Sequence, residues 1–127
     1  MRFLPTRVHG IIDYLWGAAL LASPWILGFA GITAARWIAV AFGLGAILYS
    51  LVTAYELGLL PVLPMPLHLV LDGVAGFILA ITPWGFGFAG QVVWPFVLFG
   101  LFSVAASLVT RLQPARSPGR RSIHAAR

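Results

Sequence analysis

Four apolar runs follow one another along this chain, each close to the ~20 residues that a helix needs to cross a ~30 Å hydrocarbon layer. They extend from Val8 to Phe29, Ala34 to Leu59, Leu67 to Phe88 and Val92 to Leu112. Lipid offers the backbone no hydrogen-bond partner, so a run that crosses it is expected to be helical. Ala30–Thr33 and Ala89–Gln91 read as tight turns between antiparallel neighbours. Pro61, Pro64 and Pro66 stop the second helix and start the third. Composition closes the other routes. Hydrophobic residues make up 61% of the 127 and charged residues 9%, against about 25% charged in soluble domains. That is too little polar surface for a water-soluble globule and too much apolar surface for a disordered chain. With no cysteine, disulfides, thiolate metal sites and cysteine nucleophiles are excluded.

The net charge of +5 comes from eight arginines set against Asp13, Glu56 and Asp72. In a chain this apolar, a basic balance points to retention of one side on an anionic leaflet rather than to nucleic acid. Four spans place both termini and the middle connection on one side. That side carries Arg2, Arg7, Arg111, Arg116, Arg120, Arg121 and Arg127, and the opposite side only Arg36. The positive-inside rule then predicts a multi-pass protein of the cytoplasmic membrane with both termini cytoplasmic. Trp25, Trp37, Trp84 and Trp94 flank the two opposite-side turns as an aromatic belt, whereas Trp16 is mid-span. Residues 1–113 form the expected four-helix domain. The basic stretch 114–127, with Pro114, Pro118 and Gly119, is expected to be a disordered cytoplasmic tail near anionic headgroups. Arg2 and Arg7 ahead of an apolar run also suit a signal peptide. Against cleavage stand Asp13 inside the run and the recurrence of the same segment later in the chain.

That recurrence is extensive. A shift of 59 residues lays His9 on His68, Asp13 on Asp72, Gly17 on Gly76, Ser23-Pro24-Trp25 on Thr82-Pro83-Trp84, and Gly28-Phe29-Ala30-Gly31 on Gly87-Phe88-Ala89-Gly90. A shift of 57 lays Trp37 on Trp94, Gly43 on Gly100, and Ser50-Leu51-Val52-Thr53 on Ser107-Leu108-Val109-Thr110. The chain is therefore two copies of a helical hairpin, about 8–59 and 67–113. Two spans per copy insert both hairpins in the same sense. The expected fold is an all-α membrane protein of four transmembrane helices, two tandem hairpin repeats with a pseudo-twofold axis along the membrane normal.

The doubled pattern H-x3-D-x3-G-x5-[ST]-P-W-x2-G-F-A-G resembles the SPW repeat family of small prokaryotic membrane proteins, over nearly everything except the tail. Thr82 departs from the serine of the motif and keeps the hydroxyl. The resemblance implies a membrane-embedded repeat domain. It brings no established activity or ligand, so it carries over no catalytic residue.

His9, Asp13 and Gly17 are four residues apart and share a helix face, as do His68, Asp72 and Gly76. The glycines allow close backbone approach. The pseudo-twofold axis is in a position to bring both His–Asp pairs together, with Glu56 as a possible fifth member, although its counterpart is Gln113. Two readings stay open. Ionisable residues within spans point to a proton relay or a cation site, and two imidazoles with carboxylates suit Zn, Fe or Mn. The same residues also serve as polar glue between helices. In the Ser23-Pro24-Trp25 and Thr82-Pro83-Trp84 segments, proline frees a carbonyl one turn back. The preceding hydroxyl is placed to satisfy it, and Trp anchors the helix end. Tyr14, Tyr49 and Tyr55 read as interfacial or packing residues.

No nucleophile–base set, phosphate-cradling loop or HExxH pattern is present, so no enzyme activity, catalytic residue or cofactor is expected. The metal question stays open. The expected role is structural or interactional, a scaffold or accessory subunit. The alternative is a proton- or cation-coupled small transporter or metal/ion site using the His–Asp pairs. Expected partners are the bilayer, anionic lipids at the arginine-rich tail, and a homodimer mate or another membrane protein, with no nucleic acid.

Overall fold

A computed structural model describes residues 1–115. Almost all of the basic stretch 114–127, and with it the expectation of a disordered tail, lies outside the described residues. Among those residues the chain forms four α-helices: α1 (Thr6–Ile26), α2 (Thr33–Leu51), α3 (Met65–Gly85) and α4 (Trp94–Val109). α1 packs closely on α2 and α3 on α4, whereas the backbones of the two hairpins come close at few positions.

The buried face of each helix carries the repeat. Thr6, His9, Gly10, Asp13, Gly17, Leu20, Ser23 and Pro24 are buried on α1. Their 59-shifted equivalents Met65, His68, Leu69, Asp72, Gly76, Leu79, Thr82 and Pro83 are buried on α3. Each hairpin closes at a glycine pair. A Cβ on Gly43 would stand 2.7 Å from the Gly17 carbonyl oxygen, and one on Gly76 2.6 Å from that of Gly100. Only glycine permits backbones this close.

The hairpin turns follow from the motif. Gly28 and Gly87 adopt φ of 78° and 75°, the left-handed conformation that ends a helix and favours glycine. The chain then doubles back, so that the Ala30 amide reaches the Pro24 carbonyl at 2.8 Å and the Ala89 amide the Pro83 carbonyl at 2.9 Å. Phe29 and Phe88 turn inward onto Phe96, with ring centroids 5.5 and 5.0 Å away. With Leu20, Leu79, Ala35 and Ala39 they form the apolar core, which sits at this end of the bundle. The hydroxyls ahead of the prolines act as expected. Ser23 donates to the Leu20 carbonyl and Thr82 to the Leu79 carbonyl, each at 2.7 Å, and these are the carbonyls that proline leaves free.

The opposite end is polar. There the N-terminal segment lies beside the end of α4, with the Phe3 amide donating to the Val109 carbonyl at 2.8 Å and the Arg111 amide to the Leu4 carbonyl at 3.0 Å. Equivalently, the Ala54 amide donates to the Leu63 carbonyl at 2.8 Å in the middle connection. Arg2 caps α4 by donating to the carbonyls of Ser107 and Thr110 at 2.8 and 2.7 Å.

Two span boundaries differ from the sequence expectation. The second helix stops at Leu51 rather than Leu59, because the connection folds back to supply donors. The Leu59 amide reaches the Leu51 carbonyl at 2.7 Å and the Leu63 amide the Val52 carbonyl at 2.8 Å, which satisfies the helix end. The fourth helix has 16 residues, about 24 Å at 1.5 Å per residue. It stops where Thr110 turns extended to pair with Leu4. By length and apolarity α2 and α3 are each able to cross a membrane, with mean hydropathy of 1.6 and 1.7. Along the sides of the helices the outer surface is apolar, with Leu15, Leu48, Val74, Phe77, Leu98 and Leu101 all exposed. An apolar surface of this extent around buried charged side chains belongs in lipid rather than water. Trp25, Trp37, Trp84 and Trp94 are each about 60% exposed beside the two turns, the amphipathic setting that suits a membrane interface.

Candidate functional site

The polar end of the bundle is built by residues from both hairpins. His9 and Asp13 lie in the first two turns of α1, and His68 and Asp72 at the same positions of α3. All four are buried, His9 to 1% and His68 to 0% exposure. They meet. His9 Nε2 lies 2.8 Å from Asp72 Oδ2 and 3.1 Å from Asp13 Oδ1. His68 Nε2 lies 3.1 Å from Asp13 Oδ2 and 3.3 Å from Asp72 Oδ2. Each imidazole thus faces one carboxylate of its own helix and one of the other hairpin. The two rings stand edge to face with centroids 5.5 Å apart.

The far sides of the rings are also held across the hairpins. Thr110 Oγ1 is 2.7 Å from His9 Nδ1, and Thr53 Oγ1 is 2.7 Å from His68 Nδ1. Each threonine hydroxyl donates its only proton to a carbonyl of its own helix, Ala106 for Thr110 and Tyr49 for Thr53, both at 2.7 Å. It therefore accepts from the ring. Both histidines carry a proton on Nδ1, and both direct Nε2 at the carboxylates.

Two tyrosines hold the carboxylates. Tyr49 donates to Asp72 Oδ1, and Tyr55 donates to Asp13 Oδ2 at 3.1 Å. Tyr55 lies in the connection beyond α2, where burial pushes its phenol well above the usual range and keeps it a donor. Both tyrosines are therefore part of the site, not merely packing residues. Their 57-shifted equivalents are Ala106 and Leu112, so the repeat gave no sign of them. Thr53 and Thr110 did carry a signal, as the ends of the doubled Ser-Leu-Val-Thr segment.

Glu56 does not join the cluster. It is exposed and accepts from the Thr6 hydroxyl at 2.8 Å on both carboxylate oxygens. With α2 ending at Leu51, Glu56 falls in the connection, on the solvent side of Tyr55 rather than on a helix face toward the histidines. Gly17 and Gly76 lie one turn deeper, at the helix crossings. Ser23, Pro24, Trp25, Thr82, Pro83 and Trp84 lie at the far end of the bundle and take no part.

A cavity of about 10 Å³ lies against His9, Asp13 and Asp72. It is large enough for one atom-sized occupant and too small for an organic molecule. A cleft of about 260 Å³ opens beside it between the hairpins, almost wholly apolar and sharing Trp16, Tyr49 and Ser103.

The family model of the SPW repeat domain matches residues 7–110. The chain belongs to the SPW repeat family. No curated protein and no solved structure matches it. The matched segment runs from the start of α1 to Thr110, so this SPW repeat domain contains the whole His–Asp cluster with both of its threonine supports.

Proposed function

We propose that this SPW repeat protein is a four-span structural or accessory bundle of the cytoplasmic membrane, with both termini cytoplasmic, and not an enzyme. Its two hairpins are related by a pseudo-twofold axis along the membrane normal and are clasped by the His–Asp cluster. One observation carries the reading: every ionisable group of the cluster is engaged by the opposite hairpin, at the end of the bundle away from the apolar core that the hairpins share. Removing one partner of a buried pair leaves an uncompensated charge at a cost of about 3–5 kcal/mol, so arrangements of the hairpins that separate the partners are disfavoured. The arginine side supports the orientation, since Arg2 and Arg111 sit at the clasped end and Arg36 at the other. The bilayer is the principal partner. Anionic lipid at the basic tail and a homodimer mate or another membrane protein are proposed alongside it, and nucleic acid is not.

Transport through the cluster is the competing reading, and the small enclosed volume weighs against it for any organic substrate. The test uses proteoliposomes. Under an imposed pH gradient, proton flux with wild-type protein is expected to equal that of empty liposomes. Asp13→Asn and Asp72→Asn are expected to lower unfolding stability in detergent by about 3–5 kcal/mol each. Proton flux that the wild type supports and Asp72→Asn abolishes would overturn the bundle reading.

A further inference from the structure

The protonated Nδ1 atoms have a consequence for the centre of the cluster. A neutral imidazole with its proton on Nδ1 presents a lone pair at Nε2. Both Nε2 atoms here face carboxylate oxygens, a contact that holds only with positive charge between them, supplied either by protons that make the rings imidazolium or by a bound cation. Such a core requires positive charge at its centre. His68 makes the demand most plainly. Its Nε2 is fully buried, points at both carboxylates and has no directed hydrogen bond among the described residues.

We propose that His9, His68, Asp13 and Asp72 bind one divalent first-row transition cation of the zinc type through two Nε2 atoms and two carboxylate oxygens. This goes beyond the bundle reading, for which ion pairs alone suffice. Four-coordinate zinc with bonds of about 2.0 Å has ligand–ligand edges of about 3.3 Å. Asp72 Oδ2 lies 2.8 and 3.3 Å from the two Nε2 atoms, and Asp13 meets His9 through Oδ1 and His68 through Oδ2, each at 3.1 Å. One ligand atom from each residue lies within 4.8 Å of all the others. Drawing the longest separation in to a tetrahedral edge takes about 0.8 Å from each end.

The charge fits as well. Two carboxylates neutralise a divalent ion, so a loaded site leaves no net charge in a low-dielectric interior. Imidazole nitrogen favours a transition cation over magnesium or calcium, which prefer all-oxygen ligand sets. The supports match what metal-binding histidines need. Each ring's other nitrogen is donated to a hydroxyl, and each carboxylate is held from outside by a tyrosine.

The test is made on the full chain in mild detergent, stripped with chelator and reloaded with Co²⁺, whose visible absorption reports coordination number. The expected result is one tightly held Co²⁺ per chain, with the intense bands of a four-coordinate site, displaced by Zn²⁺. His68→Gln is expected to lose the bands while keeping the wild-type size-exclusion profile. Thr53→Val, which leaves all four ligands in place, is expected to weaken Co²⁺ on the order of 10–100-fold. A well-folded wild type that retains no Co²⁺ overturns the metal site, and so does Co²⁺ bound equally by His68→Gln. If the wild type retains no metal but Asp72→Asn still lowers stability, the metal site falls and the clasp stands. If Asp72→Asn unfolds like wild type, the clasp falls, whatever the wild type binds.

Discussion

Gly43 and Gly45 lie two residues apart on α2 and offer a controlled measure of what the glycine crossing contributes. A Cβ at Gly43 would stand 2.6 Å from the Leu21 amide nitrogen and 2.7 Å from the Gly17 carbonyl oxygen, whereas one at Gly45 would meet nothing within 4 Å. Ordinary contact begins near 3.4 Å, so Gly43→Ala must part α1 from α2 locally by about 0.8 Å. Neither neighbour is a side chain able to swing away. A gap of 0.5–1 Å forfeits about a quarter to a half of each dispersion contact along the seam, and an added methyl in a packed site typically costs about 1–3 kcal/mol. Both substitutions gain the same helix propensity, about 1 kcal/mol for alanine over glycine, so the difference between them isolates the clash. Reversible unfolding in mixed detergent micelles, titrated with a denaturing detergent, is expected to place Gly43→Ala about 1–3 kcal/mol below Gly45→Ala. Gly100→Ala in the second hairpin is expected to show the same deficit, since its Cβ would stand 2.7 Å from the Ala80 amide nitrogen. Equal stabilities for Gly43→Ala and Gly45→Ala would refute the reasoning that backbone contact at the paired glycines sets the hairpin geometry.

Two other substitutions probe the helix ends. Thr82→Val keeps the shape of the side chain but orphans the Leu79 carbonyl that Pro83 has already deprived of its amide. A loss of about 1–3 kcal/mol is expected in the same unfolding titration, while no change would mean that water or a neighbouring donor replaces the hydroxyl. Arg2→Gln removes a cation from the C-terminal end of α4, where Arg2 bonds the Ser107 and Thr110 carbonyls. Hydrogen exchange is expected to rise selectively over the last turn of α4, and an unchanged exchange rate there would show that the Leu4–Thr110 pairing holds the turn unaided.

Much of the fold was legible because the repeat is written in local rules. Gly28 and Gly87 mark left-handed helix ends, the hydroxyls of Ser23 and Thr82 sit beside the carbonyls that proline frees, and Gly17, Gly43, Gly76 and Gly100 mark the crossings. The end of α2 was not legible. Apolar residues continue to Leu60, and only the return of the Leu59 and Leu63 amides onto Leu51 and Val52 shows that the helix has stopped. That early stop decides the fate of Glu56. A continuous helix would have carried it one face turn beyond Thr53, but in the connection it pairs with Thr6 instead.

The cluster itself was half legible, and the reason is physical. Spacing of four puts His9 with Asp13 and His68 with Asp72 on single helix faces, but no periodicity within one helix specifies which face meets which. The meeting depends on two crossings at once: the glycine pairs that set each hairpin, and the terminal pairings that bring Leu4 to Thr110 and Thr53 to Leu63. Those pairings also deliver the two threonine hydroxyls to the two imidazoles. The direction of both rings thus depends on Thr53 and Thr110, and each threonine belongs to the hairpin opposite its histidine. Neither repeat alone contains a complete His–Asp–Thr unit with its own supports. A single hairpin would leave an imidazole without its hydroxyl and a carboxylate without its second imidazole. The duplication therefore gives more than two copies of a packing unit, because the buried charged centre exists only where the copies meet.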